Sequence, residues 1–124
     1  MSWKLLSFCA LSLAATLAFA APSAVARKEI GQLMDALSQS GCQFQRNGSW
    51  YGPAEARAHL QRKYDYLLKK NKVDTAEQFI QRAASESSMS GRAYRVKCGG
   101  NEQDASAWFG RQLQKLRRPT AAAH

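Results

Sequence analysis

His59, Lys63 and Tyr66 stand at i, i+4 and i+7, and Glu55 precedes His59 by four, so on a helix these side chains share one flank. An imidazole between a carboxylate and an ammonium titrates near neutrality and can act as a general base, which would suit a hydrolase. Spacing ties no nucleophile to it, and the plainer reading is a histidine at the edge of the core, hydrogen-bonded to backbone. The serines at 85, 87, 88 and 90 lie in neither a Gly-x-Ser-x-Gly elbow nor a Ser-x-x-Lys motif. Ser87-Ser88-Met89-Ser90-Gly91 instead has the composition of a turn whose hydroxyls bond backbone.

Arg46, Asn47, Trp50 and Tyr51 gather a cation, an amide and two aromatics about one turn, types that stack on sugar rings or anchor interfaces. Alternation sends one of Trp50 and Tyr51 into the core, and Asn47-Gly48 answers to turn geometry alone. Arg95 and Lys97 add cations on a second extended segment. Gly99-Gly100 lacks the Gly-Lys-Ser/Thr of a phosphate loop and no His-Glu-x-x-His run occurs, so neither a metal nor a cofactor is expected.

The elements that must position these residues follow from periodicity. Ile30, Leu33, Met34 and Leu37 form one stripe of a helix from Lys28 to Ser40, closed by Gly41. Cys42 to Arg46 alternates as a strand, Asn47-Gly48 turns it, and Ser49-Trp50-Tyr51 returns. Pro53 opens a second helix with Ala56, Leu60, Tyr64 and Leu67 inward, fading at Lys69-Lys70-Asn71. Thr75 caps a third, with Gln78 reaching back and Ala76, Phe79, Ile80, Ala83 and Ala84 apolar. Arg92 to Cys98 alternates again, with Tyr94, Val96 and Cys98 on one face. A last helix from about Asp104 to Arg117 carries Ala105, Trp108, Phe109, Leu113 and Leu116 inward. Strands this few and scattered predict an α+β domain: a small antiparallel sheet of about three strands packed with about four helices.

Residues 1–20 read as a secretory signal peptide, with Lys4 as the positive start, an apolar stretch from Leu5 to Ala18, and the small-x-small site Ala18-Phe19-Ala20. A second cut after Ala24-Val25-Ala26 would make Arg27 the first residue. The expected organisation is one domain over 27–117 and a flexible tail over 118–124, with no stable membrane span after cleavage. The chain carries 18 Lys+Arg against 9 Asp+Glu, a net charge of +9, and loss of Lys4 with the leader leaves +8. Its ordinary composition, 45% hydrophobic and without a repeat, excludes wholesale disorder and repeat arrays. Cys9 leaves with the leader, so Cys42 and Cys98 remain, and in an oxidising compartment an isolated pair forms a disulfide. A metal site at those thiols would need more ligands than two histidines supply.

The blocks Ser40-Gly41-Cys42-Gln43-Phe44-Gln45-Arg46-Asn47-Gly48-Ser49-Trp50-Tyr51, His59-Leu60 with Lys63-Tyr64, and Ser87-Ser88-Met89-Ser90-Gly91 running into Tyr94, Val96 and Cys98 resemble the YfeK-like family of small exported bacterial proteins of unknown function. The resemblance covers roughly Ile30 to Arg117 and implies a periplasmic or secreted envelope protein. It supplies no catalytic residue. Ser90-Gly91-Arg92-Ala93-Tyr94 is also similar to the Ser-Gly-x-x-Tyr motif of periplasmic C-type lysozyme inhibitors, but a basic lysozyme would repel a chain of this charge. Export removes nucleic acid as a partner and leaves anionic envelope polymers, lipid head groups and envelope proteins. The expected function is therefore a basic, monomeric binding or accessory module for an anionic envelope component or protein partner. The alternatives are an envelope-polymer hydrolase using His59 and a lysozyme-inhibitor-like protein. A Cys42–Cys98 bridge would bring Arg46, Trp50 and Tyr51 beside Arg95 and Lys97 as one binding surface, with Asn47, His59, Lys63 and Ser90 as further binding candidates.

Overall fold

Ser23 begins the first helix: its Oγ accepts the Ala26 N–H at 3.0 Å and offsets one of the unpaired donors of the opening turn. The structure, a computed structural model, describes residues 22–119. The leader expected over residues 1–20 and the tail from residue 120 lie outside the described residues. Helix α1 (Ala24–Gln39) thus starts ahead of Arg27, with Ala26 already buried. Ile30, Leu33, Met34 and Leu37 form its buried stripe as the spacing requires, and Gly41 ends it at φ +72°.

Strands β1 (Gln43–Arg46) and β2 (Ser49–Tyr51) form the hairpin. Asn47 at φ 50° and Gly48 at φ 85° give the positive dihedrals a type I′ turn demands. Pro53 stands in the first turn of α2 (Pro53–Lys69), which buries Ala56, Leu60, Tyr64 and Leu67. Thr75 caps α3 (Ala76–Phe79), and Gln78 reaches back to the N–H of Asp74. The helix then widens into a π turn over Ile80–Ala84, where the Ser85 hydroxyl donates to the Ile80 carbonyl.

Strand β3 (Arg95–Cys98) is shorter than the alternation from Arg92 suggests, because Ala93 makes only an isolated bridge with Glu86. Strand β4 (Asn101–Asp104) runs directly into α4 (Ala105–Arg117). All pairs are antiparallel, in the order β2-β1-β3-β4. The α+β architecture is as expected, with a fourth strand added at one edge. Asn-Glu-Gln-Asp carries no apolar residue, so hydropathy gives no alternation there to read.

Cys42 and Cys98 form the disulfide, joining the start of β1 to the end of β3. Phe44 and Val96 face the helices, with α2 against β1 and α4 against β3 and β4. Phe79 lies edge-on to Tyr64 and Phe109 at the centre of the core. Arg117 bonds Glu29 and Glu77 and so ties α4 to α1 and α3. Leu116, expected inward, is 38% exposed, since the core-facing stripe of α4 ends at Leu113.

Candidate functional site

Directly paired residues of a sheet share a face and successive ones alternate, so register decides which functional side chains can meet. Gln45 pairs with both Trp50 and Arg95, and Gln43 pairs with Lys97, which places Trp50, Arg95 and Lys97 on the face away from the helices. Phe44 pairs with Tyr51 and shares its parity with Arg46, so Arg46 and Tyr51 belong to the helix side. The hairpin does lie beside the strand carrying Arg95 and Lys97. The single surface expected from these five residues is nonetheless divided between two faces.

On the outer face, Lys97 Nζ sits 4.6 Å from the centre of the Trp50 ring, within cation–π reach. Arg95 donates to Glu102 at 2.9 Å and to Asp104 at 2.6 Å, so its charge is matched within the sheet.

The helix side holds a denser cluster. Arg46 stacks over Tyr51 at 4.9 Å and points its charge toward α2. There, His59 and Lys63, one turn apart, meet Tyr94, which enters from the segment before β3 and is buried. His59 Nε2 lies 3.1 Å from the Tyr94 hydroxyl, and Lys63 Nζ donates to the same oxygen at 3.1 Å and to the Glu86 carbonyl at 2.9 Å. The Ser90 hydroxyl donates to Asn47 Oδ1 at 2.6 Å and Asn47 Nδ2 donates to the Ser87 hydroxyl, so the serine loop is fastened to the hairpin turn. Buried Ser87 also accepts from the N–H groups of Met89 and Ser90. A cavity of about 240 Å³ opens among Arg46, Asn47, His59, Lys63, Ser87, Ser88, Met89 and Tyr94.

Burial, then the nearby charges of Arg46, Lys63 and Arg62, holds the His59 imidazole down at about 4 instead of 6.5. Burial and then Arg46 pull the Lys63 ammonium down to about 8, against a smaller opposing pull from Glu86. Burial pushes the Tyr94 phenol up. At neutral pH the cluster therefore holds a neutral imidazole, a protonated phenol and two cations. Among the described residues no carboxylate forms an ion pair with Arg46 or Lys63. Such a site attracts negative charge and offers hydroxyl and amide groups to bind it.

Several sequence expectations change here. His59 bonds a phenol, not backbone, and burial among cations removes the near-neutral titration expected from Glu55 and Lys63. Among the described residues no serine or carboxylate is a hydrogen-bond partner of the His59 ring. Asn47 does more than shape the turn. Tyr94, read as a strand residue and as the tyrosine of the Ser-Gly-x-x-Tyr pattern but not as a binding candidate, is the centre of the cluster; the signal lay in its hydroxyl on a buried strand-end ring, because a buried phenol needs a partner. Ser87 and Ser88 join it through the loop.

A sequence model described as "Family of unknown function (DUF5329)" matches residues 24–117. The "Uncharacterized protein YfeK" of Salmonella typhimurium is 41% identical over 66 residues, 52% of this chain and 53% of that protein. The chain thus spans about half the length of the curated relative it matches. No solved structure matches the chain.

Proposed function

The chain belongs to DUF5329, a family of unknown function, and from that premise we propose that it is a binding or accessory module that takes an anionic group of an envelope component into the cavity over Tyr94. The observation that carries this reading is the convergence of Arg46 and Lys63 on one cavity with, among the described residues, no carboxylate in an ion pair with either. Neutral His59 and Tyr94 also line it. The reading places the protein in the periplasm or outside the cell, as a monomer. It is supported by the leader-like start, by the disulfide, which persists in oxidising compartments, and by the finding that no helix among the described residues is long and apolar enough to cross a membrane. Of the two cleavage sites, the one after Ala20 retains the Ser23 cap and buried Ala26, whereas a cut before Arg27 discards both.

A hydrolase centred on His59 is less well supported, because the imidazole is held by Tyr94 and sits beside cations that oppose its taking a proton. The lysozyme-inhibitor reading is weakened in the same way, since the Tyr94 of its motif is buried and engaged with His59 and Lys63. Titration of the purified protein with acetate and inorganic phosphate, followed by NMR, tests the binding reading. Shifts should cluster at Arg46, His59, Lys63 and Tyr94, weaken with added salt, and shrink in Arg46→Ala. Anion-induced shifts scattered evenly over the basic surface would defeat it.

A further inference from the structure

The cavity over Tyr94 does not stop at Lys63. A second depression of about 320 Å³ shares His59, Lys63 and Ser88 with it and continues past Tyr66, Leu67 and the arginines Arg62 and Arg82. The two together make one groove along α2, polar and cationic at the Tyr94 end and walled by the Tyr66 ring, the Leu67 side chain and the arginine stems at the other. The π turn of Ile80–Ala84 carries Arg82 to that far end, where its guanidinium donates to the Lys72 carbonyl at 2.6 Å. Large apolar side chains left in water are few among the described residues, and two of them flank this groove: Tyr66 at 57% exposed and Met89 at 98%. Neither finds an apolar partner large enough to cover it in the free chain.

We infer that the groove binds a small amphiphilic acid as a monomer, with its anionic head between Arg46 and Lys63 and its apolar tail along Tyr66. This rests on the binding reading above and adds the ligand class to it. Charge complementarity selects an anion, because four cations line the groove. The apolar wall and the exposed Tyr66 and Met89 select a tail, because a bare inorganic anion would leave them in water. A flexible methionine at the mouth can lie over a chain of variable shape. Each methylene fully removed from water contributes about a fourfold gain in affinity, so an open groove that covers about two of them in part gives a gain of about tenfold over a tailless acid.

Calorimetry with octanoate below its aggregation concentration, against acetate, decides the matter on the full-length processed protein. Octanoate should bind about tenfold more tightly than acetate. Tyr66→Ser, at an exposed position outside the anion cavity, should remove most of that gain and leave acetate affinity unchanged, whereas Arg46→Ala should weaken both acids. Equal affinities for the two acids, or a gain that survives Tyr66→Ser, would overturn the amphiphile and leave the anion site standing. Absence of binding by either acid would overturn the anion site as well. Binding to dioleoylphosphatidylglycerol vesicles without binding of monomeric octanoate would assign the face to a membrane surface and overturn the monomeric ligand.

Discussion

The Tyr94 hydroxyl lies 3.1 Å from Lys63 Nζ and accepts a hydrogen bond from it. An ammonium can only donate, so the phenol oxygen accepts from Lys63; in the Nδ1–H tautomer of the neutral imidazole the phenol's own hydrogen goes to His59 Nε2. The ring also receives the Lys63 charge at 4.8 Å from its centre. One side chain thus satisfies two others that would be costly to leave unpaired.

Tyr94→Phe keeps the ring and deletes the shared oxygen. The expected cost is about 1–2 kcal/mol, from two lost hydrogen bonds and a half-buried ammonium left with a single carbonyl. Urea unfolding measures it, and an unchanged midpoint would show that the cluster contributes nothing to stability.

Acid should destabilise the fold through His59. Its folded value lies near 4, below the ordinary 6.5, so the unfolded chain takes up the proton first. The stabilising difference is complete above pH 6.5 and is lost as pH falls through about 4. After allowance for partial exposure this amounts to roughly 2 kcal/mol. Glu29 and Glu77, held below their ordinary 4.5 chiefly by hydrogen bonds from Arg117, add a loss at still lower pH. His59→Gln should flatten only the upper part of the profile, and parallel profiles for the two proteins would contradict the assignment.

Anion affinity should fall as pH rises through about 8, where Lys63 gives up its proton. Lys63→Arg keeps its charge throughout and should remove that fall. A pH dependence identical in the two proteins would show that another group governs binding.

The two faces of the sheet should respond differently to loss of an arginine. Arg95 is already matched by Glu102 and Asp104, so Arg95→Ala should change acetate affinity less than about twofold. Arg46 faces the cavity, and Arg46→Ala should weaken the same binding about tenfold. The opposite ranking, read by titration, would move the site to the face of Trp50 and Lys97.

Reduction of Cys42–Cys98 should lower stability by up to about 4 kcal/mol, the chain-entropy value for a separation of 56 residues. Thermal unfolding with and without reductant gives the difference, and coincident curves would mean that native packing alone restrains the loop.

Much of this fold was legible because single periodicities decide it. Ile30, Leu33, Met34 and Leu37 repeat at helical spacing, and all are buried. Asn47-Gly48 specifies its turn through two positive φ angles. Parity left two cysteines to pair, and they do. The site was legible only in part, since His59 and Lys63 share a helix face but their partner Tyr94 is 31 residues beyond Lys63. Pattern along one segment says nothing about which distant side chain meets it. Arg46 and Trp50 were grouped by closeness in sequence, whereas register across the turn sends them to opposite faces. Strand β4 escaped notice because its pairing is carried by backbone bonds, to which side-chain hydropathy is blind.

The bridge between Cys42 and Cys98 makes a covalent ring of every residue between them, with α1 and α4 as arms attached at the two closing points. The hairpin, α2, the π turn and the whole cavity lie within that ring. A protease that nicks the exposed Ser88–Gly91 stretch therefore opens the ring without releasing a fragment, and both cut ends stay attached to the molecule through sulfur. The wall of the cavity richest in loop is thus also the segment whose scission leaves the protein in one piece.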